Sequence, residues 1–357
     1  MHKQLFIPGP VDVKEDVLAQ MSTPMIGHRT KDISKLQRDI TEKLQQLFYT
    51  KNAILLGTCS GSGLMEAAIR SCTAKKALVF SIGSFGDRWY KMAVVNGIAA
   101  HKVEVPWGQA ITPQMVEDAL KEEDYDLVAI THTETSTGVT NPIADIAMVM
   151  KKHPQIVFCV DAVSGAAGSK IAVDDWGIDI LITSTQKALG LPPGMAICTL
   201  SEKAYQRTFD VPHRGLYFDL QEMYQYILKK DHQYPSTPNI SLMFAMNYQL
   251  DRILAEGLEQ RFTRHSQMAE YTRNWARQYF ALFADEQYAA NTLTVIDNTL
   301  NINVAQLNEE LAKHGKVISN GYGNLKEKTF RIAHMADTSL EEVTDLLNLI
   351  TQILHLN

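Results

Sequence analysis

Lys187 lies in Ser184-Thr185-Gln186-Lys187-Ala188-Leu189-Gly190, a polar turn that follows an apolar run and leads into Pro192-Pro193-Gly194. A lone lysine is usually a surface charge. At the end of a buried run it loses hydration, its pKa falls, and the free amine becomes a nucleophile. Asp161, in Val160-Asp161-Ala162, closes another apolar run. An acid there either caps a turn or holds a ligand's ring nitrogen in its protonated form. Cys59-Ser60-Gly61-Ser62-Gly63 stands between a strand-like run and the helical pattern Leu64–Ile69. Glycines let a backbone approach an anion, and the N–H groups opening a helix favour phosphate. A small-residue turn of this kind is also common for structural reasons alone. It has no G-K-[ST] and is not a full G-x-G-x-x-G fingerprint. Arg331, inside Thr329-Phe330-Arg331-Ile332, offers a planar fork suited to a carboxylate, or else an ordinary interdomain salt bridge. His28 and Arg29, in Gly27-His28-Arg29-Thr30, are either a solvated pair or the recognition site for the distal end of a substrate.

To act together, these residues have to be gathered by folded elements. From residue 53 to about 201, short β-rich runs alternate with helical stretches. The strand candidates are Ala53–Cys59, Ala77–Gly83, Lys102–Val105, Leu127–Thr133, Ile156–Val163, Ile180–Thr185 and Met195–Leu200. Several are continuously apolar, as strands covered on both faces are. Among the helical stretches, Met115–Glu122 has Thr112 placed to cap it and Pro113 at its first position. The pattern predicts an α/β fold with a mostly parallel sheet, ligand-binding at the carboxyl ends of its strands. Beyond residue 240 the texture changes. Ser241–Phe262 reads as one long amphipathic helix, followed by a strand (Thr292–Ile296), a helix (Ala305–His314), a turn (Asn320–Asn324) and the Arg331 strand. A final helix is opened by a Thr338-x-x-Glu341 capping box. The expected division is an N-terminal arm (1–15), a large domain (16–240) and a smaller α+β domain (241–357).

Composition narrows the function classes. A chain of 357 residues with net charge -6 and pI about 6.0 has no basic surface for nucleic acid or anionic membrane. Cys59, Cys72, Cys159 and Cys198 form no C-x-x-C pair and have no histidines at zinc spacing, which argues against a disulfide framework or a metal. A reducing, cytoplasmic setting is expected. Pro8 interrupts the start before a signal-peptide core can form, and no apolar stretch reaches membrane-spanning length.

Gly61-Ser62-Gly63, then Ser81-Ile82-Gly83-Ser84-Phe85-Gly86-Asp87-Arg88-Trp89, then Thr131-His132-Thr133-Glu134-Thr135-Ser136-Thr137-Gly138-Val139 resemble successive blocks of the class V, fold type I aminotransferases. The serine/alanine–glyoxylate (serine–pyruvate) branch is the nearest match. Val160–Gly165, Ser184–Gly190, Tyr234-Pro235-Ser236-Thr237-Pro238 and the Arg331 segment continue the resemblance in order, as do Pro8-Gly9-Pro10 and Gly27–Thr30 near the start.

The resemblance implies a seven-stranded, mostly parallel sheet with helices on both faces and a pyridoxal 5'-phosphate cofactor held through a Schiff base to Lys187. It implies that Asp161 pairs with the pyridinium nitrogen, Phe85 stacks on the ring and Thr135 lies near the ring hydroxyl. Ser60, Gly61, Ser62 and Gln186 would hold the phosphate, with Tyr234 and Thr237 reaching across a homodimer. Arg331 would take the substrate α-carboxylate, with His28 and Arg29 facing its distal group. The implied reaction is transamination between serine or alanine and glyoxylate or pyruvate, with phosphoserine:2-oxoglutarate transamination as the alternative. Cysteine desulfuration, a related chemistry, would place histidine before the lysine and a cysteine on a late loop. Here Gln186 precedes Lys187 and the last cysteine is Cys198.

Overall fold

The computed structural model describes residues 2–356. Its centre is a seven-stranded sheet. Across it the strands run in the order Ala53–Gly57, Ala196–Leu200, Ile180–Ser184, Val157–Asp161, Leu127–Thr131, Ala77–Ser81, Ala100–Glu104. Only Ala196–Leu200 is antiparallel to its neighbours. Every residue of Leu127–Thr131, Val157–Asp161 and Ile180–Ser184 is buried, so the central strands are covered on both faces. That is why these runs are continuously apolar rather than alternating. Helix Pro113–Ala119 starts as its sequence predicts, with the Thr112 hydroxyl accepting the Met115 N–H at 3.2 Å and proline in the first turn.

A second sheet has the order Gln4–Phe6, Lys316–Asn320, Thr329–Ala333, Leu293–Asp297, Ala281–Leu282. Helices Leu258–Tyr279, Val304–Lys313 and Leu340–Ile353 accompany it, around a core that includes Trp275, Phe330, Leu346 and Ile350. Its first strand, Gln4–Phe6, comes from the N-terminal segment and pairs parallel with Lys316–Ile318.

Two local expectations need correction. The single helix expected over Ser241–Phe262 is two, Ile240–Glu256 and Leu258–Tyr279, parted at Gly257 with φ +86. The left-handed backbone there suits glycine and ends the helical hydrogen-bond run. The last helix is capped one residue later than expected. Ser339 accepts the Glu342 N–H at 3.2 Å and Glu342 accepts the Ser339 N–H at 2.8 Å. The reciprocal Ser-x-x-Glu pair satisfies two helix-end donors at once.

Candidate active site

Parallel strands deliver their carboxyl ends to one side of the sheet, and the chemistry-bearing residues follow those ends. Gly57 leads to Ser60–Ser62, Ser81 to Phe85, Thr131 to Glu134 and Thr135, and Ser184 to Lys187, while Asp161 is itself a strand end. In register, Asp161 lies between Thr131 and Ile182.

Asp161 is buried, and one carboxylate oxygen accepts the Val163 N–H at 2.9 Å. Burial raises its pKa to about 6 against the opposing pull of that bond; Glu134 adds to the rise, and Lys187 and Arg88 oppose it. Burial likewise lowers Lys187 to about 8, with Asp161 working to raise it and Arg331 and Arg88 lowering it further. The two groups therefore feel each other's charge. A good part of the lysine population is unprotonated at mildly alkaline pH, which is what an amine nucleophile needs. The Lys187 amine donates to the Pro8 carbonyl oxygen. Gly9, with φ +104, allows this close approach: a Cβ there would lie 2.7 Å from Lys187 Cδ.

Around this pair the polar groups are incompletely used. The Ser184 hydroxyl and the Gln186 side-chain oxygen are buried without hydrogen-bond partners. Ser60 occupies the cap position of helix Gly61–Cys72, but its side chain makes no capping bond. Arg331 reaches in from the second sheet. Its Nε donates to the Asn320 carbonyl at 3.0 Å and Nη1 to the Thr135 carbonyl at 3.3 Å. Among the described residues no carboxylate lies within salt-bridge distance of Arg331, and burial lowers its pKa to about 10. A half-buried guanidinium fixed by carbonyls alone is arranged to receive an anion.

Several participants carried no signal when read singly. Glu134 is buried and binds with both oxygens. One accepts the N–H groups of Phe85 and Gly86 at 2.9 and 3.1 Å, the other the N–H and hydroxyl of Ser136 at 3.1 and 2.6 Å. It thereby caps the helix that begins at Ser84 and fixes the Phe85 backbone. Arg88 lies over the Phe85 ring, 4.7 Å from its centre, and donates to the Ser62 hydroxyl at 2.8 Å. Tyr322 faces Phe85 at 5.8 Å between ring centres and lies 5.4 Å from the Arg331 guanidinium. Glu134 and Arg88 stood inside quoted motif blocks, but only the folded backbone shows what they hold.

The structure thus brings Ser60, Gly61, Ser62, Phe85, Thr135, Asp161, Gln186 and Lys187 to the carboxyl end of the large sheet, with Arg331 reaching them from the second sheet. The Tyr234 ring is buried, and its hydroxyl accepts the Leu56 N–H at 3.0 Å. Thr237, three residues on, is exposed. Arg29 donates to the carbonyls of Tyr234 and Pro235, the latter at 3.0 Å, and sits over the Tyr226 ring. It braces this segment, beside a half-buried His28.

Comparison with known proteins places nearly the whole chain in one family. The model of the class V aminotransferases matches residues 15–343. An uncharacterized aminotransferase of Methanocaldococcus jannaschii is 38% identical over 347 residues, covering 96% of this chain and 90% of that protein. The L-aspartate–glyoxylate aminotransferase of Paracoccus denitrificans is 31% identical, with 93% and 86% covered. The crystal structure of an alanine–glyoxylate aminotransferase from Nostoc superposes with a TM-score of 0.93 at 26% identity, covering 99% of this chain and 96% of that one.

The cofactor of that family is pyridoxal 5'-phosphate, and the residues present suit it. Asp161 has a carboxylate oxygen left for a protonated ring nitrogen. The unpartnered Ser184 and Gln186 groups, with the open cap at Ser60, suit a phosphate. Lys187 has an amine of lowered pKa for the aldehyde. With its seven-stranded α/β sheet, its second mixed sheet and this pocket, the chain belongs to the class V aminotransferases of PLP fold type I.

Proposed function

We propose that the protein transfers the amino group of a small amino acid, serine or alanine, to glyoxylate or pyruvate. The observation that carries this reading is the desolvated Lys187–Asp161 pair facing an Arg331 that no carboxylate neutralises. Bound here, pyridoxal phosphate supplies an electron sink for the electron pair left at the donor's α-carbon and carries the amino group between substrates. Lys187 would move the proton from that carbon to the cofactor's aldehyde carbon, and for the acceptor would move it the opposite way, onto the acceptor's α-carbon. Asp161 keeps a proton at the ring nitrogen. Phe85, its backbone fixed by Glu134, supplies the stacking face, and Thr135 lies near the ring hydroxyl. Ser60, Gly61, Ser62 and Gln186 hold the phosphate, with Arg88 adding positive charge at Ser62. Arg331 binds the α-carboxylate that donor and acceptor share.

The names of the Paracoccus and Nostoc proteins support glyoxylate as acceptor, and the latter supports alanine as donor. Phosphoserine:2-oxoglutarate transamination therefore ranks second. A panel of serine, alanine, aspartate, glutamate and phosphoserine against glyoxylate, pyruvate and 2-oxoglutarate tests the order. Highest kcat/KM for phosphoserine with 2-oxoglutarate would reverse it.

The same reading makes the protein a homodimer with shared sites, in which the segment holding Tyr234 and Thr237 reaches the partner's phosphate. Leu216, 87% exposed, and the exposed Tyr217 and Phe209 support association through this part of the surface. Linkage then requires that dilution release the cofactor. Full activity from a monomer, sized by light scattering at assay concentration, contradicts the shared site. No helix among the described residues is long and apolar enough to cross a membrane, and the four free cysteines suit a reducing, cytoplasmic compartment.

A further inference from the structure

We infer that Arg261 is a positioning residue for Lys187: a single buried guanidinium fixes the peptide after the lysine and the loop after Asp161 in one relation, and ties both to the segment after Arg331. The inference rests on Lys187 being the reacting amine.

Arg261, on helix Leu258–Tyr279, is 1% exposed in its side chain. Its Nη2 donates to the carbonyl of Ala188, the residue after Lys187, at 2.8 Å. Nε donates to the carbonyl of Ala167, in the loop after Asp161, at 3.0 Å. Nη1 meets Glu256 at 2.7 Å and Asp337 at 3.3 Å, the latter six residues beyond Arg331. Gln249 extends the hold by one residue, donating to the Leu189 carbonyl at 3.0 Å and to Asp337 at 3.2 Å. Arg252 completes the chain of contacts, reaching Gln249 at 2.6 Å and Asp337 at 2.7 Å. Gly190, with φ +71, leaves room for it, since a Cβ there would stand 2.8 Å from the Gln249 amide nitrogen.

The carbonyls of both residues after Lys187 are thus held by side chains from two different helices. Lysine has a flexible stem, so the position of its amine depends on where its Cα is pinned. A proton moved between that amine and a substrate carbon is sensitive to displacements of about 1 Å, which cost roughly 10²-fold in rate. Arginine is suited to the task because its fork donates in several fixed directions at once, which an ammonium does not. The charged groups that act on Lys187 within the pocket are Asp161, Arg88 and Arg331, and Arg261 holds its turn from the far side.

The test compares Arg261→Lys, which keeps a cation opposite Glu256 and Asp337, with Leu346→Ala in the second core as a destabilised control. In the cofactor-loaded proteins it reads Tm, the split between kcat and KM, and the pH midpoint of the visible absorption. In cofactor-free protein it reads the pH midpoint for reductive methylation of Lys187, located by peptide mass spectrometry. Arg261→Lys is expected to lower kcat about 10²-fold with KM nearly unchanged. The methylation midpoint should rise toward that of an ordinary lysine as the loosened turn reaches water. Leu346→Ala should lower Tm and leave the midpoints in place. Unchanged kcat and midpoints in Arg261→Lys, or the same changes in Leu346→Ala at equal loss of Tm, would overturn the inference. If Arg261→Lys does not fold, Gln249→Ala, which frees the Leu189 carbonyl alone, must move kcat and midpoint in the same directions, and no movement overturns it. Borohydride trapping that labels a residue other than Lys187 in the parent sinks the functional reading, whereas the methylation midpoint still decides the role of Arg261.

Discussion

Arg261 and Arg331 are both withdrawn from water, and their surroundings treat the two charges in opposite ways. Arg261 is matched by Glu256 and Asp337 and saturated by the Ala167 and Ala188 carbonyls. Arg331 is steered by the carbonyls of Asn320 and Thr135 and is matched by no carboxylate among the described residues. A cation compensated by its own chain is part of the scaffold. One that is oriented but uncompensated keeps an unfavourable electrostatic energy until a ligand removes it. The same contrast separates the polar atoms nearby, since Glu134 uses both oxygens while Ser184 and Gln186 keep unpartnered ones. Framework positions such as Gln37, Trp89 and His265 also keep unpartnered polar atoms, so it is the conjunction of such atoms with an unmatched guanidinium and a desolvated amine that marks the site.

The sharpest way to break this distinction is at Lys187. Lys187→Ala should lower the transamination rate by roughly 10²–10⁴-fold or more and abolish the borohydride-trappable adduct, while Tm stays level or rises. Lys187→Arg should behave alike, because it keeps the charge without an amine that condenses. Loss of stability on the scale of lost activity would place Lys187 in the framework.

At Arg261 the expectation inverts. Arg261→Leu leaves Glu256 and Asp337 without their shared cation and should cost about 3–5 kcal/mol in urea unfolding. A cost under about 1 kcal/mol would mean that the cluster is compensated without it. Arg331→Gln completes the comparison. It should forfeit a charge-assisted carboxylate contact of about 1.5–3 kcal/mol, roughly 10- to 100-fold in kcat/KM for every amino acid, without loss of Tm. A fall in Tm with unchanged kcat/KM would make Arg331 an ordinary structural arginine.

Acid sharpens the comparison further. Burial lowers His132, beside the pocket, to about 4 and His334, which bonds Thr294 at 3.0 Å, to about 3. Both folded values lie below the ordinary histidine range, so the unfolded chain binds more protons over this interval. The stability involved is intact above about pH 6.5 and declines as pH falls toward the folded values, by up to about 1.4 kcal/mol per pH unit for each histidine. Asp161, with its raised pKa, works in the opposite direction between about 4 and 6, so the difference between parent and His334→Gln is the useful measurement. Equal slopes of stability against pH from 6.5 to 4.5 would refute the assignment. The smallest effect is expected at Arg29→Ala, a few tenths of a kcal/mol and the same factor in kcat/KM for serine, alanine, glutamate and phosphoserine. A loss confined to the dianions would promote the phosphoserine reading.

The sequence made the framework legible where physical signals are local. Continuous apolar runs marked the central strands of the large sheet, and Thr112-Pro113 marked a helix start, because burial on both faces and capping are written in neighbouring residues; the edge strand Ala100–Glu104 is mixed in character and only half-buried. It was silent where partners are remote. Nothing local distinguishes Gln4–Phe6 as a strand, since its partner lies at Lys316–Ile318. Gly257 divided a helix whose apolar spacing alone ran on. Lys187 and Asp161 stood out by type and by strand-end placement, and Arg331 as a charge inside a strand. Arg261 looked like any charge on a polar helix until its carbonyl partners, 73 and 94 residues away, were in view. At Tyr234 the motif gave no sign of the bond its buried hydroxyl accepts from the Leu56 N–H.

The pairing of Gln4–Phe6 with Lys316–Ile318 also sets a schedule. The strand that precedes Pro8 emerges first during synthesis, yet the edge it pairs with follows some 312 residues later. Non-local closure of this kind comes late, after the large sheet has formed from nearer contacts. Until then the Pro8 carbonyl and Gly9 cannot be held against Lys187, and the reactive amine stays uncovered. The cover over Lys187 therefore depends on the strand at Lys316–Asn320, so a product cleaved before that strand should carry the lysine without Pro8 and Gly9 held against it.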